Sequence, residues 1–128
     1  MQAKLHTLPT EAKKAPQRNG RSNPVDGCPL TAALSAIGGK WKLIIIYWLA
    51  QETRHFAGLR RLVPPISQKV LAEQLRELVD DGIVARRPTG SAPAPVEYEL
   101  TEYGRALVPI VHAVRRWERA HLERGGSA

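Results

Sequence analysis

The sequence is sparing with several residue types: one cysteine, one methionine, one phenylalanine, and aromatics at only 5% of 128 positions. A single cysteine, Cys28, excludes an intrachain disulfide framework and a cysteine-based zinc site, and it suits a reducing, cytoplasmic setting. The N-terminus lacks the apolar core of a signal peptide. The apolar run that begins at Leu43 is far too short for a bilayer, which needs about 20 residues, so no membrane partner is expected. Catalytic constellations are missing as well. His6, His55, His112 and His121 show no metal-ligand spacing, and no paired carboxylates or nucleophile motif stand out. Gly38-Gly39-Lys40 does not make a phosphate loop, because Leu34 stands where the first glycine is needed and Trp41 replaces the Ser/Thr. Neither an enzyme nor a metal or cofactor is expected.

Acidic residues are absent in two places, from Thr53 to Ala72 and from Gly82 to Val96, although the chain carries 12 of them. Against these stand 19 Lys and Arg, giving a formal net charge of +7 and a pI near 10.1. Such a balance favours a polyanionic partner, nucleic acid before an anionic membrane surface. Residues 1–27 have a net charge of +3, many Pro, Asn, Gly and Ser, and few large apolar residues. They read as a flexible basic arm outside the folded domain, with no periodicity to assign it a role. Residues 28–128 are densely patterned and read as one domain.

Pro29 suits the first position of a helix, and Leu30, Ala33, Leu34 and Ile37 repeat with helical spacing until Gly38-Gly39. A second helix is expected from about Lys40 to Ala50, apolar nearly all round and therefore buried. A third covers Phe56 to Leu62, turning Arg60 and Arg61 outward, and ends at Pro64-Pro65. Ser67 is a natural N-cap for a fourth helix that stops at Gly82. Ile83–Arg87 and Val96–Leu100 alternate as strands, joined by a proline-rich loop. A hairpin so placed, directly after a helix-turn-helix, is a wing. Thr101 caps the last helix, where Leu107, Ile110, Val114, Trp117 and His121 form a seam that asks for a partner helix, and Pro109 is expected to kink it. The fold class is α+β, mostly α: a winged helix-turn-helix with a two-stranded wing and a C-terminal dimerisation helix.

On the fourth helix, at about 100° per residue, Leu71, Leu75 and Leu78 fall together on the buried side. Lys69, Ala72, Glu73, Arg76 and Asp80 lie opposite. Helix-turn-helix proteins read base edges mainly from the start of this helix, which makes Ser67, Gln68 and Lys69 the leading candidates. Gln pairs with adenine, Lys or Arg with guanine, Glu accepts from cytosine, and Ala72 is small enough to let the groove floor approach. Arg60, Arg61, Arg86 and Arg87, with Arg54, stand in the acid-free stretches and read as phosphate contacts. Each of them alone would pass as a solvated surface charge; grouped at a reading helix and a wing, they point to double-stranded DNA.

The sequence resembles the HxlR-type winged-helix transcription regulators of the MarR-like class. The resembling words are Cys28-Pro29-Leu30, Ile37-Gly38-Gly39-Lys40-Trp41-Lys42, Phe56-Ala57-Gly58-Leu59-Arg60-Arg61, Ile66-Ser67-Gln68-Lys69-Val70-Leu71, Gln74-Leu75-Arg76-Glu77-Leu78, Asp81-Gly82-Ile83-Val84 and Val96-Glu97-Tyr98-Glu99-Leu100-Thr101-Glu102-Tyr103-Gly104. The resemblance implies a homodimer on a near-palindromic operator, with half-sites about one helical turn, roughly 34–36 Å, apart. It implies that the first and last helices make the dimer, which would place Leu30 and Leu34 there beside the seam residues. Glu73 departs from the neutral polar residue more usual at its position. Some members use a cysteine in the place of Cys28 to sense quinones, aldehydes or oxidants; a half-buried residue serving as helix cap is the alternative for Cys28. For the whole chain, the alternative to a sequence-specific regulator is a nonspecific architectural DNA-binding protein.

Overall fold

The computed structural model describes residues 28–90 and 95–126. The basic arm, 1–27, and the tip of the wing loop lie outside the described residues. The elements run α1 (Thr31–Ile37), α2 (Lys42–Gln51), β1 (Arg54–His55), α3 (Phe56–Leu62), α4 (Gln68–Asp80), β2 (Val84–Pro88), β3 (Val96–Leu100), α5 (Glu102–Arg105) and α6 (Val108–Glu123).

The apolar helix α2 runs through the centre because its sequence leaves it little choice. Ile45, Ile46 and Leu49 are fully buried against Leu59 and Val63, Ile66, and the α4 stripe Leu71, Leu75 and Leu78. Ile83, Val84, Leu100 and Val111 close the same core from the sheet and from α6. Each such side chain contributes about 1.5–3 kcal/mol through removal from water. By contrast, α1 buries no residue completely.

Ser67 caps α4 as expected: its Oγ accepts a hydrogen bond from the Val70 N–H at 3.1 Å. At the other end Gly82 has φ +79°, with Gly82 N–H donating to Val79 O and Ile83 N–H to Leu78 O, both at 3.0 Å. That pair of bonds is a Schellman closure, which needs the left-handed residue that only glycine adopts without strain. α4 therefore passes straight into β2.

Four expectations are corrected. Pro29 is not the first residue of α1. It sits in a turn, Leu30 is the N-cap and the helix begins at Thr31. α2 starts at Lys42 rather than Lys40, because the chain must first leave α1 through Gly39 at φ +88°. The wing hairpin is joined by a third strand. β1 pairs with β3 (Arg54↔Tyr98, His55↔Glu97), and the antiparallel sheet has the order β1-β3-β2. Two residues are too few to show alternation, so this strand is silent in the sequence. Finally, the helix capped by Thr101 is only Glu102–Arg105, and a new helix starts at Val108. Pro109 lies in the first turn of α6, where its missing N–H has no carbonyl to bond, so it starts a helix instead of kinking one.

Thr101 ties the C-terminal part of the sheet to the end of α4. Its N–H donates to the Ile83 carbonyl at 3.0 Å and its hydroxyl to the Gly82 carbonyl at 2.6 Å. The same Oγ accepts from the Gly104 N–H at 2.9 Å, capping α5. Among the described residues no single helix is long and apolar enough to cross a membrane.

Candidate nucleic-acid interface

With Leu71, Leu75 and Leu78 fixed in the core, the helical period decides what α4 shows to solvent. Gln68, Lys69, Ala72 and Arg76 are exposed, and Glu73 is half-buried. Lys69 and Glu73 face each other one turn apart, with Nζ and Oε2 at 3.9 Å. An exposed pair of this kind is worth at most about 0.5 kcal/mol, so a phosphate or a base edge competes with it easily. Ser67 has a double position: one lone pair of its hydroxyl is engaged by Val70 N–H, while its proton and second lone pair stay available.

The structure brings α3 to the start of α4. Arg60 and Arg61, in the last turn of α3, line with Phe56, Ala57 and Gln68 an open cleft of about 500 Å³. Two guanidinium groups thus flank the first reading position, and a phosphate seated there would meet a charge-assisted, bidentate donor set.

The wing arginines part company. Arg86 stands opposite Tyr98 and Arg87 opposite Glu97, so the two project to opposite faces of β2. Both are exposed, but the Arg87 Nε is paired with Glu99 on β3, and its charge is largely spent within the sheet. Arg54 does not belong to the phosphate set. It is mostly buried, donates to Trp48 O at 3.1 Å and to Glu52 at 3.0 Å, and packs over the Trp48 ring. Its role is to hold the end of α2 against β1.

Cys28 is exposed, and Leu30, not Cys28, is the N-cap of α1, which removes the half-buried cap reading. Its thiol is held below the usual cysteine range, first by the Thr31 side chain and then by the Leu30 backbone, both of which hydrogen-bond the sulfur. The thiolate is the nucleophilic form, so this setting favours reactivity.

Of the expected interface residues, Leu30 (62% exposed) and Leu34 (59%) on α1 and Ile110, Val114 and Trp117 (64%) on α6 are uncovered. Leu107 instead packs on the core of its own chain. His121 is partly buried, its ring stacked on Trp117 at 4.7 Å.

One buried charge escaped sequence reading. Lys42, 3% exposed, is buried at the start of α2, with its Nζ 2.5 Å from Glu77 Oε1 of α4. A lone lysine in a helix otherwise apolar all round was the available signal.

The HxlR-like helix-turn-helix family model matches residues 36–125. The HTH-type transcriptional regulator YybR of Bacillus subtilis is 47% identical over 98 residues, covering 77% of this chain and 78% of its own. The crystal structure of the HTH-type transcriptional regulator ytcD superposes with a TM-score of 0.71 at 42% identity, covering 75% of this chain and 98% of that one. The redox regulator HypR in its reduced form gives a TM-score of 0.70 at 44% identity, covering 73% of this chain and 93% of its own. The family model spans more than half of the chain, the relatives are over 40% identical across about three quarters of it, and their solved structures share its overall fold, so the chain belongs to the HxlR-like helix-turn-helix family of transcriptional regulators.

Proposed function

We propose that this regulator binds a near-palindromic DNA operator sequence-specifically as a homodimer, in the cytoplasm, and that electrophiles or oxidants modulate it through Cys28. The observation that carries the DNA reading is the outward face of α4, where Gln68, Lys69, Ala72 and Arg76 stand exposed behind a firm N-cap. Arg60 and Arg61 beside it supply sequence-independent attraction. Glu73 is an acceptor within that face and is the residue best suited to give the protein its own base preference.

Homodimerisation is supported by the uncovered apolar residues of α1 and α6, which a second copy would take out of water. Modulation is supported by the exposed, thiolate-favouring setting of Cys28, and by its likeness to HypR, a redox regulator by name.

The test is a selection of bound duplexes from a random pool, sequenced after several rounds. An enriched inverted repeat is expected. A pool that stays random while binding remains steeply salt-dependent would replace this reading with the architectural one. Diamide or a quinone should then shift operator binding of the wild type and leave Cys28→Ser unmoved; identical titration curves would remove the switch.

A further inference from the structure

Lys42 is buried at a place where two physical rules oppose it. A lysine taken out of water loses its hydration, and a cation in the first turn of a helix faces the positive end of the helix dipole. A methionine would fill the same volume at neither cost. Lys42 is nevertheless the buried charged residue of the described core, with Nζ 2.5 Å from Glu77 Oε1. A pair of this type adds little to stability compared with an apolar replacement; what it adds is direction.

The leucine stripe of α4 chooses which face is buried but sets the angle of that face only coarsely. The stripe is three leucines, Leu71, Leu75 and Leu78, and apolar burial is non-directional. At about 100° per residue, Glu77 falls on the flank between that stripe and the outward face, about 40° from Glu73. A tether on the flank resists rotation better than one on the buried midline. Side chains reach roughly 6 Å from a helix axis, so a turn of about 20° moves a reading atom by about 2 Å. That displacement exceeds the tolerance of a bidentate hydrogen bond to a base, yet it leaves a flexible arginine within reach of a phosphate.

We infer that the Lys42–Glu77 pair sets the rotational phase of the recognition helix, making Lys42 a positioning residue for base reading and not a source of stability. The inference rests on the sequence-specific reading above. It predicts that the pair governs discrimination between DNA sequences and leaves general affinity for DNA alone.

The experiment compares wild type with Lys42→Met/Glu77→Met on two probes: a duplex enriched by the wild type from a random pool, and a shuffled duplex of the same length and composition. Affinity is read by fluorescence anisotropy and folding by chemical unfolding. The double variant is expected to unfold at or above the wild-type midpoint and to bind the shuffled duplex within about twofold of wild type. Its preference for the enriched duplex should fall about tenfold or more, as for a lost bidentate base contact. A preference kept within about twofold overturns the inference, as does an equal loss on both probes. If the double variant does not fold, Glu77→Gln, which keeps the shape and one acceptor, reads the same ratio: a drop of about threefold supports the phase-setting role and an unchanged ratio overturns it. A wild type that does not distinguish the two probes overturns the sequence-specific reading itself, and this inference with it.

Discussion

Gly104→Ala should be among the most damaging single-methyl additions in this protein. A Cβ at Gly104 would lie 2.1 Å from the Ile83 carbonyl oxygen and 3.0 Å from its carbon. Backbone atoms do not rotate away as a side-chain tip does, so α5 and the start of β2 must part by about 1 Å. That separation strains Thr101 N–H to Ile83 O, 3.0 Å, and Gly104 N–H to Thr101 Oγ, 2.9 Å. Overpacking a well-filled site costs about 1–3 kcal/mol and weakening an N-cap about 1 kcal/mol, so the expected loss is about 2–4 kcal/mol. In a domain of this size that lowers the melting temperature by roughly 10–20 °C. The assay is equilibrium unfolding in urea followed by tryptophan fluorescence, at one fixed protein concentration, because the stability of the proposed homodimer would depend on it. Gly58→Ala is the internal control. It makes the same chemical change inside α3, where the nearest neighbour of the new methyl is an Arg61 side-chain nitrogen at 4.0 Å. Its expected effect is a gain of about 0.5–1 kcal/mol from helix propensity. A Gly104→Ala variant within about 0.5 kcal/mol of wild type would refute the close-approach argument, and equal losses in both variants would show that glycine content alone is being measured.

Other perturbations separate the remaining claims. Arg60→Ala should weaken binding to any duplex and reduce the slope of log affinity against log salt by about one, whereas Arg87→Ala, whose charge is already paired with Glu99, should change that slope by much less; equal slopes would contradict the division. Trp117→Asp places a charge in the exposed apolar row of α6 and should shift sedimentation from dimer to monomer without unfolding the core, since Trp117 is 64% exposed; an unchanged sedimentation coefficient would move the interface elsewhere. Thr31→Val removes the leading cause of the lowered Cys28 pKa. Only the thiolate reacts, so alkylation by iodoacetamide rises with pH through the thiol pKa, and the variant's rise should come at higher pH than the wild type's; superimposed profiles would mean that the Thr31 hydroxyl does not act on the sulfur.

Where one physical signal dominated, the sequence was readable. α3 was expected over Phe56 to Leu62 and is found there, because Pro64-Pro65 leaves no room for a longer helix. Ser67 and Gly82 bracket α4 as their chemistry requires. What stayed illegible depends on contacts distant in sequence. β1 has no pattern of its own and exists because β3 offers it a free edge. Arg54 looked like part of a basic run until Trp48 and Glu52 were found around it. Arg86 and Arg87 read as a matched pair, and only the strand register sends them to opposite faces. The burial of Lys42 has no local signature, because its partner, Glu77, lies 35 residues away. Composition reports which charges a chain has; pairing decides which of them a phosphate can use.

Three residues, Asp81 to Ile83, connect the end of α4 to the start of β2, and the Gly82 and Ile83 carbonyls are both claimed by Thr101 from the far strand of the hairpin. For protein engineering, this makes the reading helix and the wing a single transplantable cassette. A chimera that exchanges α4 alone for that of a relative would graft a new reader onto a wing indexed to the old one, and the two would address DNA out of step. The productive splice points lie before Ser67 and after Gly104, where one backbone segment brings its own junction with it, provided that the residue at position 77 keeps a carboxylate for Lys42, which stays behind on α2.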